Sequence, residues 1–226
     1  VKDVLALAQE QQTSLTLYLT AVFMLAVRRA SPDFKPGSAM AVSVPVNLRQ
    51  FFPSNSARNF FSTTRLIYTT NEQDNTDDIG AIAQTLKEQF QQQITPESLE
   101  DKLRTLIAFE YSPFTRVVFR PIKDLVLKLV NYVSNRNLTI AISNLGKVTF
   151  PDPIDGYIEK MYFHTSAVRP QFCAISHGEH LTVSFTSPFV DSTIEEQFVR
   201  VLTDAGVAVT VAANKVTSED LEGESS

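Results

Sequence analysis

The chain has 226 residues, a formal net charge of −5, and 43% hydrophobic against 20% charged residues. That composition supports a packed core and excludes wholesale disorder, while an acidic chain lacks the basic stripe of a protein that coats nucleic acid. One cysteine, Cys173, excludes an internal disulfide and any multi-cysteine zinc or iron–sulfur site, and three histidines (His164, His177 and His180) leave little for metal chemistry.

The length allows one or two domains at about 150 residues each. The chain begins at Val1 rather than Met and its first residues already read as a helix, so it is expected to be part of a longer protein. No signal or transit peptide precedes that helix, which points to the cytoplasm. Val4, Leu5, Leu7 and Ala8 predict a short amphipathic helix. Thr13 or Ser14 then caps a longer one reaching Ala30. Apolar residues run almost all round this second helix, as in one buried between layers. Its longest apolar run, Leu15 to Val27, is broken by Thr16, Tyr18 and Thr20 and falls short of the ~20 residues of a membrane span. Ser31-Pro32 ends the helix, and Pro36-Gly37 predicts a turn.

Ala39 to Val46 is a nearly continuous apolar, β-branched run, the pattern of an interior strand covered on both faces. Pro45 stands near its end, where a missing N–H is tolerable. Phe60 to Tyr68 alternates and predicts a second strand, and Asn71 to Asp78 is polar and acidic, a solvated loop and helix start. Ile79 to Gln93 predicts a polar-faced surface helix ending in a glutamine run. Thr95 and Pro96 suit the N-cap and first position of the next helix, to about Phe109. Pro113 and Pro121 bracket a connector before a helix over Asp124 to Asn135.

The period then changes to about two. Leu138 to Ser143, Tyr157 to Thr165, Gln171 to His177 and Leu181 to Thr186 predict four strands, the last two joined by a tight turn at Gly178-Glu179. Ser192 and Glu195 read as a capping box opening a helix to about Ala205, and Val207 to Val211 as a last strand. Together these predict an α/β domain over 1–215, a mixed β-sheet flanked by helices, followed by an acidic flexible tail over 216–226.

No GxGxxG, P-loop, HExxH or GxSxG motif is present. Cys173 lies in a strand-like run and reads as a buried structural thiol rather than a nucleophile. His177 and His180 flank the hairpin turn without further zinc ligands, and His164, a histidine at a strand end, could alternatively serve as a general base. No metal site is expected. Arg49 follows the buried strand, so its guanidinium emerges near the sheet edge. It is either a solvated surface arginine or a bidentate partner for a carboxylate. Ser143 and Asn144 end another strand before Gly146, either as a simple turn or as donors to an oxyanion.

The ordered set of segments resembles one superfamily. Val1 to Arg29 resembles the helix pair that begins the second half of the chloramphenicol-acetyltransferase-like fold, which includes peptide-synthetase condensation domains, BAHD acyltransferases and alcohol acetyltransferases. VSVPVNLRQFFPSNSARNFFST, TIAISNLGKV and LTVSFTSPFVDSTIEEQFVRVL resemble its later stretches in the right order. The alcohol acetyltransferase branch fits first. The resemblance implies one half, the C-terminal one, of a two-domain CoA-dependent acyltransferase fold.

The superfamily's general-base histidine stands in an HHxxxDG or HxxxD motif, and no histidine here is followed by Asp at that spacing. The resemblance therefore places no catalytic residue in this chain and puts the base in the missing N-terminal domain. It assigns Arg49 to a structural salt bridge with the motif's aspartate. Ser143 and Asn144 come near the tunnel as potential oxyanion donors, and Asn59 near the interface of the halves. Arg58 replaces the glycine of the family's GN pair, and the BAHD DFGWG motif has no match. No covalent cofactor is implied. Acyl-CoA is the expected co-substrate and a small alcohol the acceptor, and the exposed half-interface favours self-association. A condensation-domain fragment or a non-catalytic binding module with this fold are the alternatives.

Overall fold

The computed structural model describes residues 1–31, 35, 37–57, 59–70, 78–112, 121, 124–129, 132, 138–166 and 168–213, with only the backbone at 106, 109 and 110. The element order is α1 (Lys2–Glu10), α2 (Leu15–Ala30), β1 (Ala39–Asn47), β2 (Phe61–Thr69), α3 (Ile79–Gln93), α4 (Pro96–Tyr111), β3 (Ile140–Lys147), β4 (Gln171–His177), β5 (His180–Thr186) and α5 (Thr193–Asp204). Residues 124–129 are also helical. The remainder of the helix expected there, Arg58, most of the 71–78 loop, the prolines Pro32, Pro36 and Pro113, and the acidic tail lie outside the described residues.

Local chemistry sets the helix starts. Ser14 Oγ accepts from the Leu17 N–H at 3.3 Å, and Thr95 Oγ1 from the Ser98 N–H at 3.2 Å with Pro96 next in line. Each satisfies an amide that a helix start leaves without an intrahelical partner. Ser14→Ala is expected to cost about 1 kcal/mol, read as a lower urea midpoint at unchanged m-value. α5 starts differently from the expected capping box. Ser192 makes no side-chain cap, and the Asp191 carboxylate instead accepts from Thr193 N–H at 2.9 Å and from its hydroxyl. An ionised acceptor outcompetes a neutral hydroxyl one residue later.

The strands form one sheet in the order β2-β1-β3-β4-β5. β1, β3 and β4 run parallel to one another, and the hairpin partners β2 and β5 are antiparallel at the two edges. Interior position explains the apolar run of β1, which is buried at Met40, Ala41, Val42, Val44 and Val46. Pro45 falls beyond Val42 and Ser43, where β1 pairs with β3, so its missing N–H breaks no rung there. Gly178, at φ 55°, makes the β4–β5 turn.

α2 lies on one face of the sheet with every residue from Leu17 to Val27 buried, flanked by α3 and α5 and packed by α1. Phe23 meets Phe172 edge-on at 5.3 Å between ring centroids, and Phe198 meets Phe185 at 5.0 Å. These rings tie α2, β4, β5 and α5 into one cluster. α3 is the expected polar-faced surface helix over Ile79–Gln93, with Ile82, Ala83 and Leu86 buried, and its polar residues also bond to the fold. Gln84 Nε2 and Lys87 Nζ donate to the Gln11 and Gln12 carbonyls at 2.7 and 2.6 Å, holding the α1–α2 corner.

Two expected strands do not form. Residues 158–165 lack a ladder and follow a short 3-10 turn over Ile154–Tyr157, and residues 207–211 pair with no strand. An alternating pattern needs an open edge to become a strand, and β4 already has β3 on one side and β5 on the other. The segment instead covers the sheet face opposite α2, where the Ile158 carbonyl meets His177 and Thr165 Oγ1 approaches Cys173 Sγ at 3.7 Å.

Candidate functional site

Three parallel strands end on the same side of the sheet, the side where open α/β sheets form ligand crevices. The C-terminal end of β1 delivers Asn47 and Arg49, that of β3 delivers Ser143, Asn144 and Gly146, and that of β4 delivers Ser176 and His177.

Arg49 stands on a 3-10 turn over Leu48–Gln50 whose geometry is set from both ends. Leu48 is buried and anchors it in the core. Asn47 Oδ1 accepts from the Arg49 N–H at 3.1 Å, and the Phe51 and Phe52 amides close on the Leu48 carbonyl at 3.0 and 2.8 Å. The side chain is exposed, and its Nη2 donates to the Ser56 carbonyl at 2.7 Å, folding the following loop back on itself. This is a charged fork held at the rim by a rigid turn. Asn59 is exposed in the same loop, and next to it the Phe60 carbonyl accepts from the Leu48 N–H at 3.2 Å.

Ser143 and Asn144 are neighbours in sequence but point to opposite faces of β3. Asn144 is level with Ala174, a member of the α2-facing core, and its Nδ2 donates to Thr16 Oγ1 of α2 at 2.8 Å. Its Oδ1 accepts from the Gly146 N–H at 2.8 Å, and Gly146 at φ 73° takes up a register shift between Asn144 and Lys147 inside β3, so the strand runs on to Lys147 where a turn was expected. The Asn144 amide thus fixes the strand end and the start of α2. Ser143, level with Cys173, faces the side covered by residues 148–166 and is half-buried. The two expected oxyanion donors are therefore not brought together. Cys173 is fully buried and accepts from Gln171 Nε2 at 3.5 Å, a packed thiol.

His177, which the sequence places beside the hairpin turn, is held inside the fold at the end of β4. It is only 3% exposed. Nδ1 lies 3.0 Å from the Val148 carbonyl and Nε2 2.9 Å from the Ile158 carbonyl, with Asp155 Oδ1 at 3.8 Å and Phe150 against the ring. Two carbonyls facing two ring nitrogens are both satisfied only by the doubly protonated ring. The Val148 carbonyl is the main influence raising its pKa above the ordinary value, with burial opposing and Ile158 and Asp155 adding to the rise. His180 and His164 are exposed. Among the described residues no three His, Cys, Asp or Glu side chains converge as a metal-ligand set.

A raised folded pKa has a definite sign. The stability it contributes is fully present below the unfolded value of about 6.5 and is lost as pH rises through the folded value. Wild type is therefore expected to hold its largest melting-temperature advantage over His177→Gln near pH 5.5, and the advantage should shrink by pH 9. A difference that stays flat over that range would sink the assignment.

The sequence profile described as alcohol acetyltransferase matches residues 1–203. No curated protein sequence matches the chain. Among solved structures, polyketide synthase associated protein 5 from Mycobacterium tuberculosis is similar over 89% of this chain and 47% of its own, at 14% identity and a TM-score of 0.54. The epimerization domain from the third module of tyrocidine synthetase B is similar over 90% of this chain and 44% of its own, at 14% identity and a TM-score of 0.55. At that identity the likeness is one of fold, and the chain spans less than half the length of either structure.

Proposed function

The chain belongs to the alcohol acetyltransferase family, and from that premise we propose that it is the C-terminal half of an acyl-CoA-dependent alcohol acetyltransferase. The whole enzyme would move an acyl group from the thioester of coenzyme A to a small alcohol. The acceptor hydroxyl needs a general base, and this sequence holds no HxxxD motif to supply one. The base is then a histidine of a preceding N-terminal domain, which is this chain's first partner. This half contributes one wall of the substrate tunnel and the Arg49 anchor. Ser143, on the covered face, is the oxyanion-donor candidate, while Asn144 serves the fold and Asn59 lies at the rim.

The observation that carries the reading is the family match over nearly the whole chain together with coverage of less than half of each structural neighbour. The test is an acylation assay with the complete encoded protein and with residues 1–226 alone, using acetyl-CoA and a panel of short alcohols. Ester formation by the complete protein and none by the isolated chain is the expected result. Transfer by the isolated chain, or an upstream region without HxxxD, would overturn it. The second outcome would favour a non-catalytic binding role. Activity only with carrier-protein thioesters would favour a condensation-type enzyme.

A further inference from the structure

Two glutamines of α3 occupy the outer edge of the sheet. Gln89 Oε1 accepts from the Ile67 N–H at 2.8 Å, and Gln89 Nε2 donates to the Ile67 carbonyl at 2.6 Å. One turn on, Gln93 Nε2 donates to the Arg65 carbonyl at 2.9 Å, and its Oε1 accepts from the Thr64 hydroxyl. Among the described residues β2 is an edge strand, paired with β1 alone. Both backbone groups of Ile67 turn away from β1, the alternation expected of an antiparallel ladder. They are the groups a further strand would seize. A carboxamide carries an acceptor and donors together, so Gln89 supplies Ile67 with both bonds that a neighbouring strand residue would supply.

We infer that Gln89 and Gln93 guard the β2 edge, closing it against strand addition by the β2 of a second copy of this chain. The strand invites such pairing. It is nine residues long, rich in β-branched and aromatic residues, and exposes Phe61 and Ile67 on its outer face. An open edge of this kind is an association hazard that natural sheets cover or charge. Antiparallel self-pairing presents the same strand from both copies and closes as a two-fold dimer, so the second copy is the occupant that fits. The spacing of the two glutamines, four residues apart on α3, puts them on one helix face, aligned with residues two apart on β2. The device does not depend on acyl transfer.

The test compares wild-type chain with Gln89→Ala/Gln93→Ala and with Gln89→Lys/Gln93→Lys. Amide exchange at Ile67 is read by NMR at low concentration, and association by sedimentation velocity over a concentration series. The alanine pair is expected to speed Ile67 exchange about three- to tenfold and to associate at lower concentrations than wild type, with Ile67 protected again in the associated form. The lysine pair should speed exchange equally yet associate no more than wild type, because a lysine edge repels a second copy. If the double variants unfold, Gln89→Ala alone opens Ile67 and reads the same quantities. Unchanged Ile67 exchange, or an opened edge without added association, overturns the inference.

Discussion

Replacing Phe172 with alanine is expected to destabilise the fold by about 3–5 kcal/mol. Phe172 is fully buried and stands where β4 meets α2 and α5. Its ring lies 5.3 Å from Phe23, 6.0 Å from Phe198 and 6.5 Å from Phe185. Truncation therefore removes the apolar transfer term and three ring contacts at once. It also leaves a cavity bounded by a sheet and two helices that cannot collapse readily. Domains of this size are stable by only about 5–15 kcal/mol, so the loss is a large fraction of the total. The expected fall in melting temperature is roughly 6–20 °C. Val190→Ala is the control: that side chain is 90% exposed, and its change should stay within about 0.5 kcal/mol. A Phe172→Ala midpoint indistinguishable from the control's would mean the four rings do not form the core.

The same cluster explains why so much of the fold was legible. A helix apolar almost all round has to be covered almost all round, which marks α2 as buried between layers. The continuous apolar run of β1 marked an interior strand for a similar reason. Caps at Ser14 and Thr95 are local, so short-range chemistry located the helix starts. Features made by tertiary contact were not legible. The alternation over 157–165 signalled two different environments, but the sheet offered the segment no free edge at β4 and it became a cover. His177 read as a turn-flanking residue because its partners, Val148 and Ile158, come from that cover. The opposed directions of Ser143 and Asn144 follow from the period of a strand and were available in principle. Ser, Asn and Gly in this segment have the composition of a turn, which masks the pleat. The glutamine run marks the polar face of a surface helix, but its bonds to Arg65 and Ile67 depend on β2 being an edge.

If the complete protein is the acyltransferase proposed above, Arg49→Ala is expected to lower its kcat/KM by about 100-fold, the scale of a displaced catalytic group, while leaving the melting temperature of this half nearly unchanged. The turn over Leu48–Gln50 is built from Asn47, the buried Leu48 and backbone bonds, none of which uses the guanidinium. Losing the side chain removes its bond to the Ser56 carbonyl, an exposed contact of small weight. The expected loss of activity comes from elsewhere. An arginine fork held at the sheet rim is suited to grip a carboxylate with two parallel bonds. The proposed partner is the aspartate of the HxxxD motif across the interface. Arg49 then acts as a positioning residue, holding the loop that carries the base. Arg49→Lys keeps the charge and loses the fork, so it should recover only part of the activity. A double-mutant cycle with that aspartate separates this role from a general one. If the two groups act as one pair, the double alanine variant should be no slower than the worse single variant. Fully additive losses, or full activity in Arg49→Ala, would remove Arg49 from the machinery and leave it the work of closing its own loop.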